Sequence, residues 1–280
     1  MNQHAYPPLP ALGTQVGDVY RSLCEQLEDA VAQAGFCEVV LGLSGGIDSA
    51  LTAVLAVDTF GAARVHGVIM PAPHSTPGSV CDAQELADNL GIKTHTVAID
   101  AILTEYDRTL HVSMPTDGDT SRMRQNVQAR IRANILMAFS NQFAWLVLCT
   151  SNRSESLVGY TTLYGDMVGA FAPLAPLYKG WVYELARFCN AGRNAIPDAI
   201  LQKAPSAELE PGQTDEAELG SYMVLDAVLY RIDRGMTKDQ LLEAGFKAAA
   251  VADIAKRITQ ARFKQRFAPR GATLSPHRPE

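Results

Sequence analysis

Short apolar runs alternate along the chain with longer segments in which apolar residues recur at helical spacing. Strands that alternate with helices in this way predict an α/β fold with a doubly wound parallel sheet, which binds ligands at the carboxyl ends of its strands. Helical spacing is clear over 16–34, and Gly35 follows as a stop signal. We predict four strands, at 37–43, 65–70, 93–99 and 144–149.

The segments between and after these strands predict further helices and several long loops. Ser79 and Asp82 suggest a capping box for a helix that ends at Gly91. Further helices are predicted at about 102–110, 123–139, 179–189, 221–234, 237–244 and 246–265, and loops at 71–78, 111–121, 150–176 and 203–215. We expect a single domain with a loose Pro-rich arm at 1–14, a core at 15–200 and a helical C-terminal part at 201–280.

Composition narrows the class of protein. The chain has 280 residues, 47% of them hydrophobic, and a formal net charge of −6, which argues against general affinity for nucleic acid or an anionic membrane. No apolar run reaches membrane-spanning length, and the start lacks a basic region followed by an apolar one. The five cysteines are odd in number and scattered, which favours free thiols in a reduced, cytoplasmic compartment: Cys24, Cys37, Cys81, Cys149 and Cys189.

The stretch 41–50, Leu-Gly-Leu-Ser-Gly-Gly-Ile-Asp-Ser-Ala, carries the clearest chemistry. Gly45 and Gly46 permit a tight turn and a close backbone approach to a ligand, and the N-terminus of the next helix offers free N–H groups and a positive dipole end. Asp48 would repel a polyphosphate unless a divalent cation lay between them. The stretch therefore predicts a site for a magnesium nucleotide, although an ordinary strand-to-helix turn remains the alternative.

This stretch has neither the Lys-Ser/Thr ending of a Walker A loop nor a dinucleotide fingerprint, and it resembles the S-G-G-x-D-S loop of the ATP pyrophosphatases. Over nearly its whole length the chain is similar to one of their families, the NAD synthetases, and most to the synthetase part of the glutamine-dependent enzymes. The resemblance rests on the order of these segments behind the loop: Gly67-Val-Ile-Met-Pro, Gln125-Asn-Val-Gln-Ala-Arg, Thr150-Ser-Asn-Arg-Ser-Glu, Thr162-Leu-Tyr-Gly-Asp, Val182-Tyr-Glu-Leu-Ala-Arg and Pro205-Ser-Ala-Glu-Leu.

The resemblance implies that ATP adenylates the nicotinate carboxylate of deamido-NAD and that ammonia then displaces AMP to give NAD. Such a reaction needs positioning, charge neutralisation and exclusion of water more than an acid–base triad. It also implies magnesium and a homodimer. Because 36 residues precede the first predicted strand, we expect no glutaminase domain there, and ammonia would be free or supplied by a separate glutaminase partner.

The resemblance assigns roles position by position. It implies catalytic roles for Asp48 and Lys179, magnesium ligands at Asp48 and Glu155, and deamido-NAD contacts at Arg130, Asp166 and Lys264. It implies ATP contacts at Gly42, Leu43, Ser44, Gly45, Gly46, Ile47, Asp48, Ser49, Thr150, Lys179 and Ser206. Taken singly, Glu155 also suits the first turn of a helix, and a lone Arg or Lys is by default a solvated helix charge.

Three other functions stay open. A related ligase could adenylate a different carboxylate. In that case, changing the predicted deamido-NAD contacts would leave deamido-NAD binding intact. A tRNA-modifying pyrophosphatase would need a broad basic surface, which this acidic chain does not indicate. A nucleotide sensor without turnover would keep the loop, but the presence of both Asp48 and Glu155 argues against it.

Overall fold

A computed structural model describes residues 6–113 and 120–274, and a four-stranded parallel sheet forms its centre. The strands are β1 (Val39–Gly42), β2 (Val65–Ile69), β3 (Lys93–Thr96) and β4 (Leu146–Val147), in the order β3-β2-β1-β4. Every pairing is parallel, with Val39 opposite both Val65 and Leu146. The doubly wound parallel sheet predicted from the sequence is confirmed, with strands shorter than the apolar runs.

Twelve α-helices, two short 3-10 helices (Gly13–Gln15 and Ala62–Arg64) and a small strand pair complete the described part of the chain. The helices are α1 (Val16–Gln33), α2 (Ile47–Phe60), α3 (Pro77–Leu90), α4 (Asp100–Ser113), α5 (Ser121–Phe143), α6 (Arg153–Val158), α7 (Lys179–Asn190), α8 (Asp198–Gln202), α9 (Asp215–Leu219), α10 (Tyr222–Ile232), α11 (Lys238–Glu243) and α12 (Ala248–Gln265). The pair is β5 (Phe171–Ala172) and β6 (Arg270–Gly271). None of the helices in residues 6–113 and 120–274 combines the length and apolar content needed to cross a membrane.

Both faces of the sheet are covered, because successive side chains of β1 enter different hydrophobic clusters. Val39 and Leu41 belong to the larger cluster, which includes α1, α2 and α7. Val40 belongs to the smaller cluster with residues of α4 and α5. Strands buried on both faces require near-continuous apolar sequence, which explains why apolar runs identified β1 and β2; the edge strand β3, Lys-Thr-His-Thr, is partly exposed and polar.

The start of α3 differs from the prediction. Thr76 is the N-cap, because its side chain accepts a hydrogen bond from the backbone N–H of Ser79, and Pro77 occupies the first turn. The capping box expected from Ser79 and Asp82 is therefore wrong. Gly91 ends the helix in a left-handed conformation, as predicted.

Two predicted loops contain regular structure. In the segment 150–176, Asn152 caps the short helix α6 by accepting from the N–H of Glu155. The strand β5 belongs to the same segment and hydrogen-bonds to the chain just after β4. Within 111–121, α4 continues to Ser113 and α5 begins at Ser121, while 114–119 lie outside the described residues. At the predicted N-terminal arm, the N–H groups of Leu12 and Gly13 donate to the Glu184 carboxylate, which holds that part against α7.

Candidate active site

The loops after β1 and β4 open into one cavity at the carboxyl edge of the sheet. β1 is flanked by β2 and β4, so the helices that follow neighbouring strands diverge at this point and leave a crevice, as is usual in doubly wound sheets. The cavity has a volume of about 280 Å³. Its lining includes the whole predicted phosphate loop: Gly42, Leu43, Ser44, Gly45, Gly46, Ile47, Asp48 and Ser49.

The loop folds through hydrogen bonds between its own serines. The Ser44 hydroxyl accepts from the N–H of Gly46 at 3.2 Å and lies 3.1 Å from the Ser49 hydroxyl. Gly46 is the N-cap of α2 but provides no side chain to cap it. The free N–H groups of the first turn of α2 thus face the cavity, which makes this helix end suitable for a phosphate group.

Replacing Gly45 by alanine is expected to destabilise the protein and weaken nucleotide binding. Gly45 has a φ of +74°, and an added Cβ would lie 2.2 Å from the carbonyl oxygen of Ser79. The left-handed backbone alone costs about 1–2 kcal/mol, and the backbone clash must move the loop or α3. A loss of about 1.4 kcal/mol in binding would weaken ATP affinity tenfold, measurable by calorimetry.

Gly61→Ala is the matched control for this substitution. Gly61 ends the same helix α2 with a φ of +80°, but an added Cβ there meets nothing within 4 Å. It is expected to lower stability by the backbone cost while leaving ATP affinity unchanged. Equal loss of ATP affinity in both variants would show that the contact with Ser79 does not matter.

Three charged side chains converge in the cavity from the first turns of three helices. Lys179 of α7 is almost fully buried, and its Nζ lies 2.5 Å from Oδ2 of Asp48 in α2 and 3.1 Å from Oε1 of Glu155 in α6. The amide of Asn152 links Asp48 to the start of α6, because its Nδ2 donates to Asp48 Oδ1 and its Oδ1 accepts from the backbone N–H of Glu155. Residues far apart in sequence thus form one hydrogen-bonded unit.

The electrostatics of this unit keep Lys179 charged. Burial alone would lower the pKa of Lys179, but the Asp48 and Glu155 carboxylates outweigh that effect and raise it. Burial raises the pKa of Glu155, with the Lys179 ammonium opposing the rise and Asp48 adding to it. Lys179 therefore presents a fixed positive charge beside the phosphate loop.

The carboxylate of Asp226 in α10 accepts hydrogen bonds from the first turns of α6 and α7. It accepts from the Ser154 hydroxyl at 2.5 Å and from the N–H of Gly180 at 2.8 Å. The Ser154 hydroxyl in turn accepts from the N–H of Lys179 at 3.0 Å. Because Ser154 precedes Glu155 and Gly180 follows Lys179, this buried group fixes the position of both functional side chains.

Asp48 and Glu155 also fit a magnesium ion. Their Oδ2 and Oε1 atoms both approach the single Nζ atom of Lys179, so two carboxylate oxygens already face one point of positive charge. Hard oxygen ligands suit Mg²⁺, which usually keeps one or two carboxylates and completes its octahedron with substrate phosphates and waters. Among residues 6–113 and 120–274, no group of three or more His, Cys, Asp or Glu side chains is placed to hold a metal ion.

The structure brings some of the other predicted residues to the cavity and not the rest. Thr150, Asp166 and Ser206 line it. Arg130 is exposed and absent from the lining, and its Nε donates to the carbonyl of Leu163. The Lys264 Nζ donates to the carbonyls of Gly159 and Thr161, at 2.8 and 2.6 Å, and thereby fixes the turn after α6. Substrate contact by Arg130 and Lys264 stays a prediction.

Several lining residues were missed by the sequence analysis. Asp215, at the start of α9, is buried and accepts from the hydroxyl of Tyr222 at 2.9 Å. Its charge acts on both Glu155 and Lys179, so it belongs to the same acidic group. Arg132 could have been found from spacing, because it shares the face of α5 with buried Ala129. For Asp215, which follows a loop, the sequence carried no comparable signal.

The segment 203–209 closes one side of the cavity through contacts with α3. The Glu208 carboxylate accepts from the N–H and hydroxyl of Thr76 and from the Ser79 hydroxyl. The Lys203 Nζ lies 2.7 Å from Asp82 and from the Ser79 hydroxyl. These contacts join the two loops predicted at 71–78 and 203–215.

We predict that binding of both substrates protects the segments 75–78 and 203–215 from protease, because residues of both segments line the cavity. Equal cleavage with and without substrates would contradict this.

Comparison with known proteins identifies the family. A model of the NAD synthase family matches residues 19–268. The chain belongs to the NAD synthase family. It is 44% identical over 259 residues to a glutamine-dependent NAD(+) synthetase of Aquifex aeolicus, with 92% of the chain and 46% of that protein covered, and 42% identical over 276 residues to that of Thermotoga maritima, with 97% and 48% covered. The chain thus spans about half the length of these relatives.

Solved structures agree on the fold. An NMN synthetase from Francisella tularensis is 30% identical, with a TM-score of 0.78 and coverage of 93% of this chain and 98% of that one. An NH3-dependent NAD synthetase from Campylobacter jejuni is 28% identical, with a TM-score of 0.74 and coverage of 95% and 99%. A glutamine-dependent NAD+ synthetase from Acinetobacter baumannii in complex with ADP is 35% identical, with a TM-score of 0.66 and coverage of 96% and 48%.

Proposed function

We propose that this chain converts deamido-NAD to NAD with ammonia and ATP, releasing AMP and pyrophosphate. The observation that carries the proposal is the convergence of Asp48, Glu155 and Lys179 beside the phosphate loop in one cavity. Family membership supports the amidation, and the Acinetobacter baumannii structure with ADP supports nucleotide binding in this fold.

In the first step, a nicotinate carboxylate oxygen attacks the α-phosphorus of ATP, and pyrophosphate leaves. The N–H groups at the start of α2 and the charge of Lys179 bind the phosphate oxygens as negative charge moves to the leaving group. Asp48 and Glu155 would hold Mg²⁺, which when bound would neutralise phosphate charge. The buried hydrogen bonds behind Lys179 keep its position fixed during the step.

In the second step, ammonia attacks the acyl carbon of the adenylated carboxylate, AMP leaves, and the nitrogen loses a proton to form the neutral amide. Water would hydrolyse the same intermediate, so the cavity must exclude it. The contacts of 203–209 with α3 supply a wall for that purpose. Thr150, Asp166 and Ser206 also line the cavity, and we infer that they contact the nucleotides.

The test follows NAD and AMP together with ATP, magnesium and deamido-NAD, and supplies either ammonium or glutamine. NAD formed in equal amount to AMP with ammonium, and none with glutamine alone, is the expected result. Nicotinate mononucleotide serves as a second acceptor, because the structural relative from Francisella tularensis is an NMN synthetase. If neither acceptor stimulates pyrophosphate release, the substrate assignment is wrong and other carboxylates must be screened.

The partners are also part of the proposal. We infer a homodimer, as the family resemblance implies, and a separate glutaminase as one possible source of ammonia. Sedimentation analysis gives the oligomeric state. Addition of a glutaminase with glutamine should restore NAD formation to the level seen with ammonium if ammonia is the true nitrogen donor.

A further inference from the structure

Arg132 is the basic residue in the cavity whose charge has no partner in the described part of the chain. Three basic side chains line the cavity. Lys179 pairs with Asp48 and Glu155, and Lys203 pairs with Asp82. Among the residues that the structure describes, Arg132 forms a single hydrogen bond, from its Nε to the carbonyl oxygen of Met70 at 3.1 Å.

The backbone and one hydrogen bond fix the Arg132 side chain at the carboxyl end of β2. Ala129, Ala133 and Leu136 lie on the same face of α5, and all line the cavity with it. A Cβ added to Gly42 would lie 3.8 Å from Leu136 and 3.2 Å from Met70, so this face of α5 packs where β1 and β2 end. The hydrogen bond to Met70 uses Nε and leaves both terminal nitrogens of the guanidinium without a protein acceptor among the described residues.

A partly buried cation without a counterion is unfavourable, because burial removes the water that solvates the charge and no opposite charge replaces it. The pKa of Arg132 reflects this: burial lowers it, and the more distant Glu208 and Asp166 oppose the effect only in part. Two free parallel N–H donors are the arrangement with which arginine binds phosphate or carboxylate groups at two points. The missing anion would therefore arrive with a ligand.

We propose that the terminal nitrogens of Arg132 bind an oxyanion, either a phosphate or the carboxylate, of one of the two nucleotide substrates. The identity of the substrates rests on the proposed function; the binding role itself rests on the geometry of Arg132. Its place on α5, beside the carboxyl end of β2, is separate from the phosphate loop and from the Asp48–Lys179–Glu155 group. It would thus hold a part of the ligand that those residues do not hold.

The test measures the affinity of the full chain for ATP and for deamido-NAD separately, by calorimetry, in Arg132→Gln and Arg132→Lys. We expect the Kd for one of the two ligands to rise about tenfold or more in Arg132→Gln, equivalent to about 1.4 kcal/mol, while the other is unchanged. Arg132→Lys should recover part of the loss, because it keeps the charge but not the two-point contact. A change for ATP alone identifies its phosphates, and a change for deamido-NAD alone identifies its diphosphate or carboxylate.

Arg124→Gln is the matched control, since Arg124 is an exposed arginine on the same helix that pairs with Asp107. Unchanged affinity for both ligands in Arg132→Gln would overturn the proposal. An equal loss of affinity for both ligands, together with a lower unfolding temperature, would also overturn the proposal, because a purely structural role of Arg132 predicts that result. If Arg132→Gln does not fold, Arg132→Lys decides by the same criteria. A wild-type chain that binds its nucleotides but forms no NAD would overturn the proposed function and leave the result for Arg132 standing.

Discussion

Lys179→Met is expected to lower the rate of NAD formation about 100-fold or more and to destabilise the folded protein. Removing one preorganised positive group from a charge-stabilising site typically costs about 10²–10³ in rate. In addition, Asp48 and Glu155 would face each other without the ammonium that now lies 2.5 and 3.1 Å from them. Breaking a buried pair by removing one partner costs about 3–5 kcal/mol in the free energy of unfolding.

The measurement combines kcat and KM for ATP with urea unfolding of the ligand-free protein. Lys256→Met is the control, because Lys256 is exposed on α12 and the same change of side chain there should alter neither quantity. Lys179→Arg retains the charge, but its planar guanidinium cannot reproduce the contacts of a single ammonium with both carboxylates, so we expect it to recover only part of the rate. A folded Lys179→Met protein with the kcat of the wild type would disprove a role for this charge in the reaction.

The sequence predicted those parts of the fold that depend on local patterns. β1 and β2 were found because strands buried on both faces read as continuous apolar runs, and the glycines that permit the turn at 45–46 could be recognised directly. The start of α3 was missed because Ser79 and Thr76 are both good cap residues, and the choice depended on Pro77 fitting the first turn.

The site could be predicted only in part, because its geometry depends on contacts between distant residues. Asp48 was identified from the chemistry of the loop, and Glu155 and Lys179 by family resemblance, but no spacing shows that the three side chains would meet at one nitrogen atom. Asn152 and Asp226 were missed for the same reason, since each acts by a hydrogen bond to a residue of another element. The resemblance also could not show that Lys264 donates to two backbone carbonyls in the ligand-free chain.

Asp226→Ala is expected to destabilise the folded protein strongly, although Asp226 lies outside the lining of the cavity. The buried N–H of Gly180 and the Ser154 hydroxyl would lose their acceptor, and each such loss costs about 1–3 kcal/mol. Because these groups position Lys179 and Glu155, kcat should fall as well, although Asp226 touches no substrate. Chemical unfolding and steady-state kinetics measure the two effects.

Asp226→Asn separates the charge of this residue from its hydrogen bonds. Burial raises the pKa of Asp226 from 3.8 to about 6, with the Ser154 hydroxyl and the Gly180 N–H opposing the rise. A carboxyl group with a raised folded-state pKa takes up its proton more readily in the folded protein, so its favourable contribution is fully present below pH 3.8 and is lost as pH rises through about 6. Asparagine keeps an acceptor for Gly180 and carries no charge at any pH.

The wild type should therefore lose stability relative to Asp226→Asn as pH rises from about 4 to 7, by up to about 3 kcal/mol. Other buried carboxyl groups, including Glu155, titrate in both proteins, so the difference between the two curves isolates Asp226. Urea unfolding across this pH range gives the two curves. Parallel curves would mean that Asp226 has an ordinary pKa, because the hydrogen bonds from Ser154 and Gly180 stabilise its carboxylate. The loss of stability in Asp226→Ala would then come from these hydrogen bonds alone.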